Sequence, residues 1–374
     1  MTRQADQWAK ITWKNSLSLR MKNGTSEGNI PYLPLSGPVR MSTGRRRIPL
    51  RKFTTHPAVL PVIALFIFAA GCTIGPAESG SFDRTTSVSG PIQLDLRNGS
   101  GHVEIRTGQP GQVHIHGEYS IWSLIWSNGQ TNGQEVQAHP PIEQQGSVIR
   151  IGYQGEELNH VQINYTIYVP PETELRAQVG SGSLDVSGVK GPAVLHTGSG
   201  HITVMDINGD LDVETGSGTI NLTGISGRVT ATTGSGRIEL NGIGGEIRAS
   251  TGSGSLHISR SPGRINGRTS SGGIEADGVA DDLHLTTGSG GVHIQGNPSL
   301  GSFWQIHTGS GSLTLDVPSN ASFRLHALAH SGRIESDIPV IMEEQTGRRE
   351  LRGRIGSGSA SVELEAGSGS IHIR

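Results

Sequence analysis

Residues 197–268 decide the fold. They read TGSGHITVMDINGDLDVE from Thr197, TGSGTINLTGISGRVTAT from Thr215, TGSGRIELNGIGGEIRAS from Thr233 and TGSGSLHISRSPGRINGR from Thr251, a strict 18-residue period. The Gly-Ser-Gly corner starts at Gly180, Gly198, Gly216, Gly234 and Gly252, is kept as Ser270-Ser271-Gly272, and returns at Gly288. A fixed short period is the signature of a solenoid. Beyond Gly288 the step lengthens to 21 at Gly309 and again at His330, then becomes 26 at Gly356 and 11 at Gly367.

Apolar residues recur at offsets 5, 7, 10, 14 and 16 from the leading threonine. Ile202/Val204, Ile220/Leu222, Ile238/Leu240 and Leu256/Ile258 form one short strand per turn. Leu211/Val213, Val229/Ala231 and Ile247/Ala249 form a second. Ile207, Ile225 and Ile243 fill the corner between them, next to Gly209, Gly227, Gly245 and Gly263. Alternation with β-branched residues reads as strand. One turn buries almost nothing, whereas turns stacked at ~4.8 Å superpose equivalent residues into one thin core. The expected fold is all-β, a parallel β-solenoid (β-helix) over 179–374. At the Gly-Ser-Gly corner the glycines are expected to supply backbone angles closed to other residues. The threonines should point inward. Ser181, Ser199, Ser217, Ser235, Ser253, Ser271 and Ser289 should stack as a second hydroxyl ladder.

Composition agrees. Glycine is 55 of 374 residues, about twice the usual ~7%. Aromatics are only 4%, too few for a bulky globular core. A net charge of −2 gives no electrostatic case for nucleic acid as a partner. Cys72 is the single cysteine, which excludes disulfides within the chain and cysteine-rich zinc sites.

Residues 1–40 show no apolar periodicity and read as an unstructured extension, or as sequence upstream of a start at Met41. Residues 41–71 read as a signal peptide: Arg45, Arg46, Arg47, Arg51 and Lys52, then the apolar run AVLPVIALFIFAA from Ala58. That run is right for a secretory segment and short for a span of ~20 residues. Ala69-Ala70-Gly71-Cys72 resembles the bacterial lipobox, with Ala69 where leucine is preferred. The resemblance implies cleavage before Cys72 and lipidation of its thiol. The partner so implied is the membrane, through the anchor, and in a cell with two membranes Thr73 in place of aspartate implies outer-membrane rather than inner-membrane retention. An ordinary signal peptide or uncleaved anchor is the alternative. Residues 72–90 are polar and rich in Gly, Pro and Ser, and are expected to be a flexible tether.

Residues 91–178 form a β-rich lead-in and cap region. Asn98-Gly99-Ser100-Gly101 is an early copy of the corner, so the solenoid has a possible start here. Within it, 119–141 carries Tyr119, Trp122 and Trp126. Two readings stand: an interaction loop, since tryptophan suits amphipathic contacts, or a cap over the exposed end of the stack. The segment 339–354, charge-rich and without alternation, reads as a solvated loop or terminal cap, with an acidic-ligand site around its arginines as the alternative. The last strand, Ser370–Arg374, ends on a charge, as an edge needs.

The TGSG-x-[IL]-x-[VIL] repeat, Tyr168-Val169-Pro170-Pro171 ahead of it and the closing GSGSASVELEAGSGSIHIR resemble the bacterial β-strand-repeat family labelled "putative adhesin", over 91–374. The resemblance implies a β-solenoid at the cell envelope and carries over no functional residue.

Chemistry is sparse. No regular aspartate follows the glycines, which argues against a calcium β-roll. Glu239, His257, Glu275 and His293 share offset 6 on consecutive turns, so they should lie on one outer face and are the weak metal candidates. A solvated ladder that avoids like-charge repulsion is the competing reading. Turns of 18 residues leave little loop for a glycan-active cleft, and no serine has a nucleophile setting. The expectation is therefore no catalysis and no cofactor. The expected function is a lipid-anchored envelope surface for another protein or a cell-surface glycan, with an envelope scaffold or stress-signalling role as the alternative. Sites are expected where the repeat breaks: 119–141, Ser299–Trp304 and 339–354.

Overall fold

The computed structural model describes residues 78–121, 133–152, 161–344 and 347–374. Two long sheets run through them, of 14 and 15 strands. Each 18-residue turn gives one short strand to the first sheet, such as Ile202–Met205, and one longer strand to the second, such as Leu211–Ser217. Neighbouring turns pair in parallel and in register: Ile202 lies beside Ile220, and Leu211 beside Val229. The inward residues of both sheets are buried, Val204, Leu222, Leu240 and Ile258 among them. Burying such side chains contributes about 1.5–3 kcal/mol each, and only stacking makes that burial available.

The corners depart from expectation in their cause. From Gly198 onward the glycines of the Gly-Ser-Gly corner are needed for close stacking, not for a positive φ, which among the corners ahead of them is kept at Gly101 (123°) and Gly182 (147°). A Cβ on Gly200 would sit 1.9 Å from the carbonyl oxygen of Gly182, and one on Gly218 1.8 Å from that of Gly200. Left-handed backbone occurs instead at offset 9, just before the buried corner residue. Gly188, Asp206, Gly224, Gly242, Arg260 and Gly278 all have φ between 49° and 77° there. Asp206 and Arg260 tolerate this with a side chain, and Arg260 is held by two bonds from its guanidinium to Asn241 Oδ1 (2.9 and 2.7 Å).

The threonine row is buried, as expected. Each hydroxyl donates to the glycine carbonyl of the preceding turn, Thr251 to Gly236 at 3.0 Å and Thr287 to Gly272 at 2.9 Å. The serine row is different: Ser181, Ser199, Ser217, Ser235, Ser253, Ser271 and Ser289 are all exposed, and no hydroxyl ladder joins them. Where Ser261 replaces the corner isoleucine it is fully buried, accepting from Ile243 N–H (3.2 Å) and donating to Ser259 O (3.0 Å).

Chain order and stacking order part company at both ends. The first turn, Ile92–Ser100 and Val103–Thr107, is interior: Ile92–Ser100 lies between Thr173–Ser181 and Val148–Ile151. The chain then makes a long excursion to build the cap on its far side. Val161–Val169 packs beside Val103–Thr107, and Gln112–Ile121 and Glu78–Ser87 follow as antiparallel strands. So the expected tether is ordered from Glu78 to Ser87, ten residues paired with Gln112–Ile121. Phe82 on that strand is buried edge-on against Tyr165 (centroids 6.2 Å apart), an apolar anchor that a free tether lacks.

At the C-terminus, Ala360–Ala366 inserts between Phe303–Thr308 and Phe323–Ala329, and Ile371–Ile373 between Leu313–Asp316 and Ile334–Ser336. The last strand is thus interior, not an edge. The cap is 321–355, and the segment 339–354 contains an antiparallel hairpin, Ile341–Glu344 with Glu350–Ile355, rather than an irregular loop. Gly356-Ser357-Gly358 is no stacking corner. Gly356 and Gly358 have φ of 61° and 76°, and their loop wraps the hydroxyl of Ser322. Antiparallel strands cover both ends of the second sheet and the N-terminal end of the first, while the first sheet closes at its other end on the three-residue parallel strand Ile334–Ser336, a short edge.

Candidate functional site

The outer face of the first sheet carries the offset-6 row. Register places Glu239, His257, Glu275 and His293 side by side on consecutive strands. Two neighbouring turns carry glycine at offset 4, Gly273 and Gly291, where other turns carry His201, Thr219 or Arg237. The missing side chains open a groove of about 770 Å³ beside the row, floored by Gly273, Gly291, Ser255 and Ser312, with Arg237 at one end.

The four expected metal candidates do not act as one set. Glu239 takes Arg237 as its partner at 3.2 Å. His293 Nε2 pairs with Asp316 Oδ2 at 2.8 Å. His257 is held between two carboxylates: Nδ1 to Glu275 Oε2 at 3.1 Å and Nε2 to Asp277 Oδ2 at 3.9 Å. Asp277 was missed by sequence reasoning. Its signal was its place two residues after Glu275, which puts both on one face of the strand Ile274–Val279. Ser259 stands opposite Asp277, too short to block its approach to His257.

A second cluster lies on the outer face of the second sheet. Glu365 accepts from His330 Nε2 at 2.9 Å and contacts His307 Nδ1 at 3.2 Å. The hydrogen bond from His330 holds the Glu365 carboxyl below its ordinary value against partial burial, and His307 adds to the lowering. His330 reaches Glu365 only because the last turn is inserted beside its strand.

At the breaks of the repeat, several of the described residues are packed in the core or paired within the stack. Tyr119 is 4% exposed in the strand Gln112–Ile121 and is packed in the core, so it is not presented to a partner. Trp122 and Trp126 lie outside the described residues, as do Ala69, Ala70, Gly71 and Cys72. Trp304 is fully buried, its Nε1–H donating to Asp281 O at 2.7 Å, while Leu300 beside it is 86% exposed. In the C-terminal hairpin Arg352 pairs with Glu350 at 2.7 Å. Asp282 accepts from Arg264 (2.9 Å) and from Phe303 N–H (2.9 Å), so it ties turns together. Among the described residues no helix is long and apolar enough to cross a membrane.

Fold and surface together define a two-sheet β-solenoid with capped ends and a polar, laddered exterior. The profile of the family described as Toastrack DUF4097 matches twice, over residues 92–268 and 264–374, and the chain belongs to that family. Three solved structures are similar. A "putative cell adhesion protein" from Clostridium sporogenes is 13% identical, with 79% of this chain and 99% of that one covered, at a TM-score of 0.17. A "putative adhesin" from Bacteroides fragilis is 12% identical over 79% and 97%, at a TM-score of 0.33. A "putative adhesin" from Parabacteroides merdae is 13% identical over 80% and 98%, at 0.27. None of the curated proteins compared matches the chain.

Proposed function

We propose that this protein is a lipid-anchored binding scaffold of the bacterial envelope, its groove on the first sheet engaging a cell-surface glycan or an envelope protein, without catalysis. The observation that carries the reading is the groove itself. On an otherwise filled ladder, Gly273 and Gly291 clear a recess about 770 Å³ in size, lined by Arg237, Glu239, His257, Glu275 and His293. Both hydrogen-bond donors and acceptors line it, which suits hydroxyl-rich or mixed-charge ligands. The lipobox-like Ala69-Ala70-Gly71-Cys72 supports the anchor, and the names of the similar structures support adhesion only by analogy.

Binding to an array of bacterial surface glycans and to purified envelope fractions tests the surface. Gly273→Gln and Gly291→Gln, which refill the recess, are expected to reduce binding at least about ten-fold, the equivalent of ~1.4 kcal/mol. Unchanged binding in both would move the reading to a plain envelope scaffold. For the anchor, labelled palmitate is expected in the wild-type chain and absent from Cys72→Ser, and equal labelling of the two would sink it.

A further inference from the structure

We propose that His257, Glu275 and Asp277 form a binding site for a borderline divalent transition metal such as Zn²⁺. Their donor atoms, one per residue, all lie within 4.8 Å of one another. They come from adjacent strands, Leu256–Ser259 and Ile274–Val279, whose ladder fixes their relative positions. A tetrahedral zinc ion holds nitrogen and oxygen ligands at ~2.0–2.2 Å, so its donors stand a little over ~3 Å apart. His257 Nδ1 and Glu275 Oε2 already have that separation, 3.1 Å. Asp277 needs only a side-chain rotation to join them, and short Ser259 leaves the space.

The electrostatics ask for more than one positive charge. Glu275 and Asp277 project from the same face of one strand, two residues apart, and repel each other. A single imidazolium neutralises one of them, whereas a dication neutralises both. The donor set selects the ion. One imidazole with two carboxylates is a zinc-type set, while calcium seeks six to eight oxygen ligands. His257 and Glu275 also line the groove, so a coordination position left open on that side would be filled by a water or a ligand oxygen. His293, in register with Glu275 and paired with Asp316 at 2.8 Å, lines the same groove.

The site shares His257 and Glu275 with the groove of the proposed function but does not depend on a partner, because metal binding is measured on the protein alone. Titration calorimetry of the full chain with Zn²⁺ at neutral pH is expected to show one saturable site, with Ca²⁺ giving no competing heat. Asp277→Asn and His257→Gln are each expected to weaken it at least ten-fold, while His307→Gln, on the other sheet, leaves it unchanged. Visible absorption of the Co²⁺-loaded protein gives a second readout, with ligand-field bands that both site variants lose. All these side chains are part-exposed, so circular dichroism of the variants should match the wild type. Absence of saturable binding, or binding that Asp277→Asn leaves intact, would overturn the proposal.

Discussion

Two kinds of glycine hold this protein together, and they should respond differently to a single methyl group. Gly242 has φ of 67°, and a Cβ there would meet nothing nearer than the Gly224 nitrogen at 3.8 Å. Alanine should cost about 1–2 kcal/mol, the penalty of a left-handed L-residue. Gly200 has no left-handed requirement, yet its Cβ would lie 1.9 Å from a backbone oxygen of the preceding turn. Backbone cannot rotate away as a side chain can, so Gly200→Ala should cost about 3 kcal/mol or more. Urea unfolding of the two variants checks the order, and equal midpoints would refute the stacking account. The period made the Gly-Ser-Gly row legible but not the reason for it, because steric contact between turns and local φ both favour the residue without a Cβ, and the row at offset 9 went unread. The left-handed row was further masked by Asp206 and Arg260.

Strands and corners were legible for a different reason. Inward alternation at offsets 5, 7, 14 and 16 is a local pattern, and each copy confirms the others. The buried threonines followed from continuing that alternation, but their partner did not, since the Thr251 hydroxyl reaches a carbonyl 15 residues back. Elements outside the period were read less well. Glu78–Ser87 looked like a tether because its one apolar anchor, Phe82, has no periodic companion. The Glu365 cluster also belongs to this level, since it links three strands. Its carboxyl is held below the ordinary 4.5 chiefly by His330. A lowered folded value means the contribution is present above the unfolded value and is lost as pH falls through the folded one. Glu365→Gln should therefore lower the melting temperature at about pH 5.5, with the difference from wild type shrinking by about pH 3. All three groups are about half-exposed, so solvent screening limits the effect to at most about 1 kcal/mol. A difference that grows on acidification would contradict the pairing.

The stack as assembled buries its last turn between two others, and this makes a sharp prediction about truncation. Deleting 360–374 removes an interior layer rather than an edge. The cap strands Phe323–Ala329 and Ile334–Ser336 lose their neighbours on the stack side. Limited proteolysis should then cut within 321–355 at least ten-fold faster, with 173–316 still protected. Protection of both segments would mean that the cap can dock without the last turn. By itself the sequence determined the period, the two-strand turn, the inward rows and so the all-β solenoid, because those depend on contacts between copies of one pattern. It also placed Glu239, His257, Glu275 and His293 in one row. Only the tertiary structure decided which layers are neighbours at the two ends, since one register of parallel strands is compatible with several stacking orders. It alone brought Asp277 to His257, and His330 to Glu365. Those contacts are set by diagonal reach across the ladder and by the inserted last turn, neither of which leaves a period in the chain.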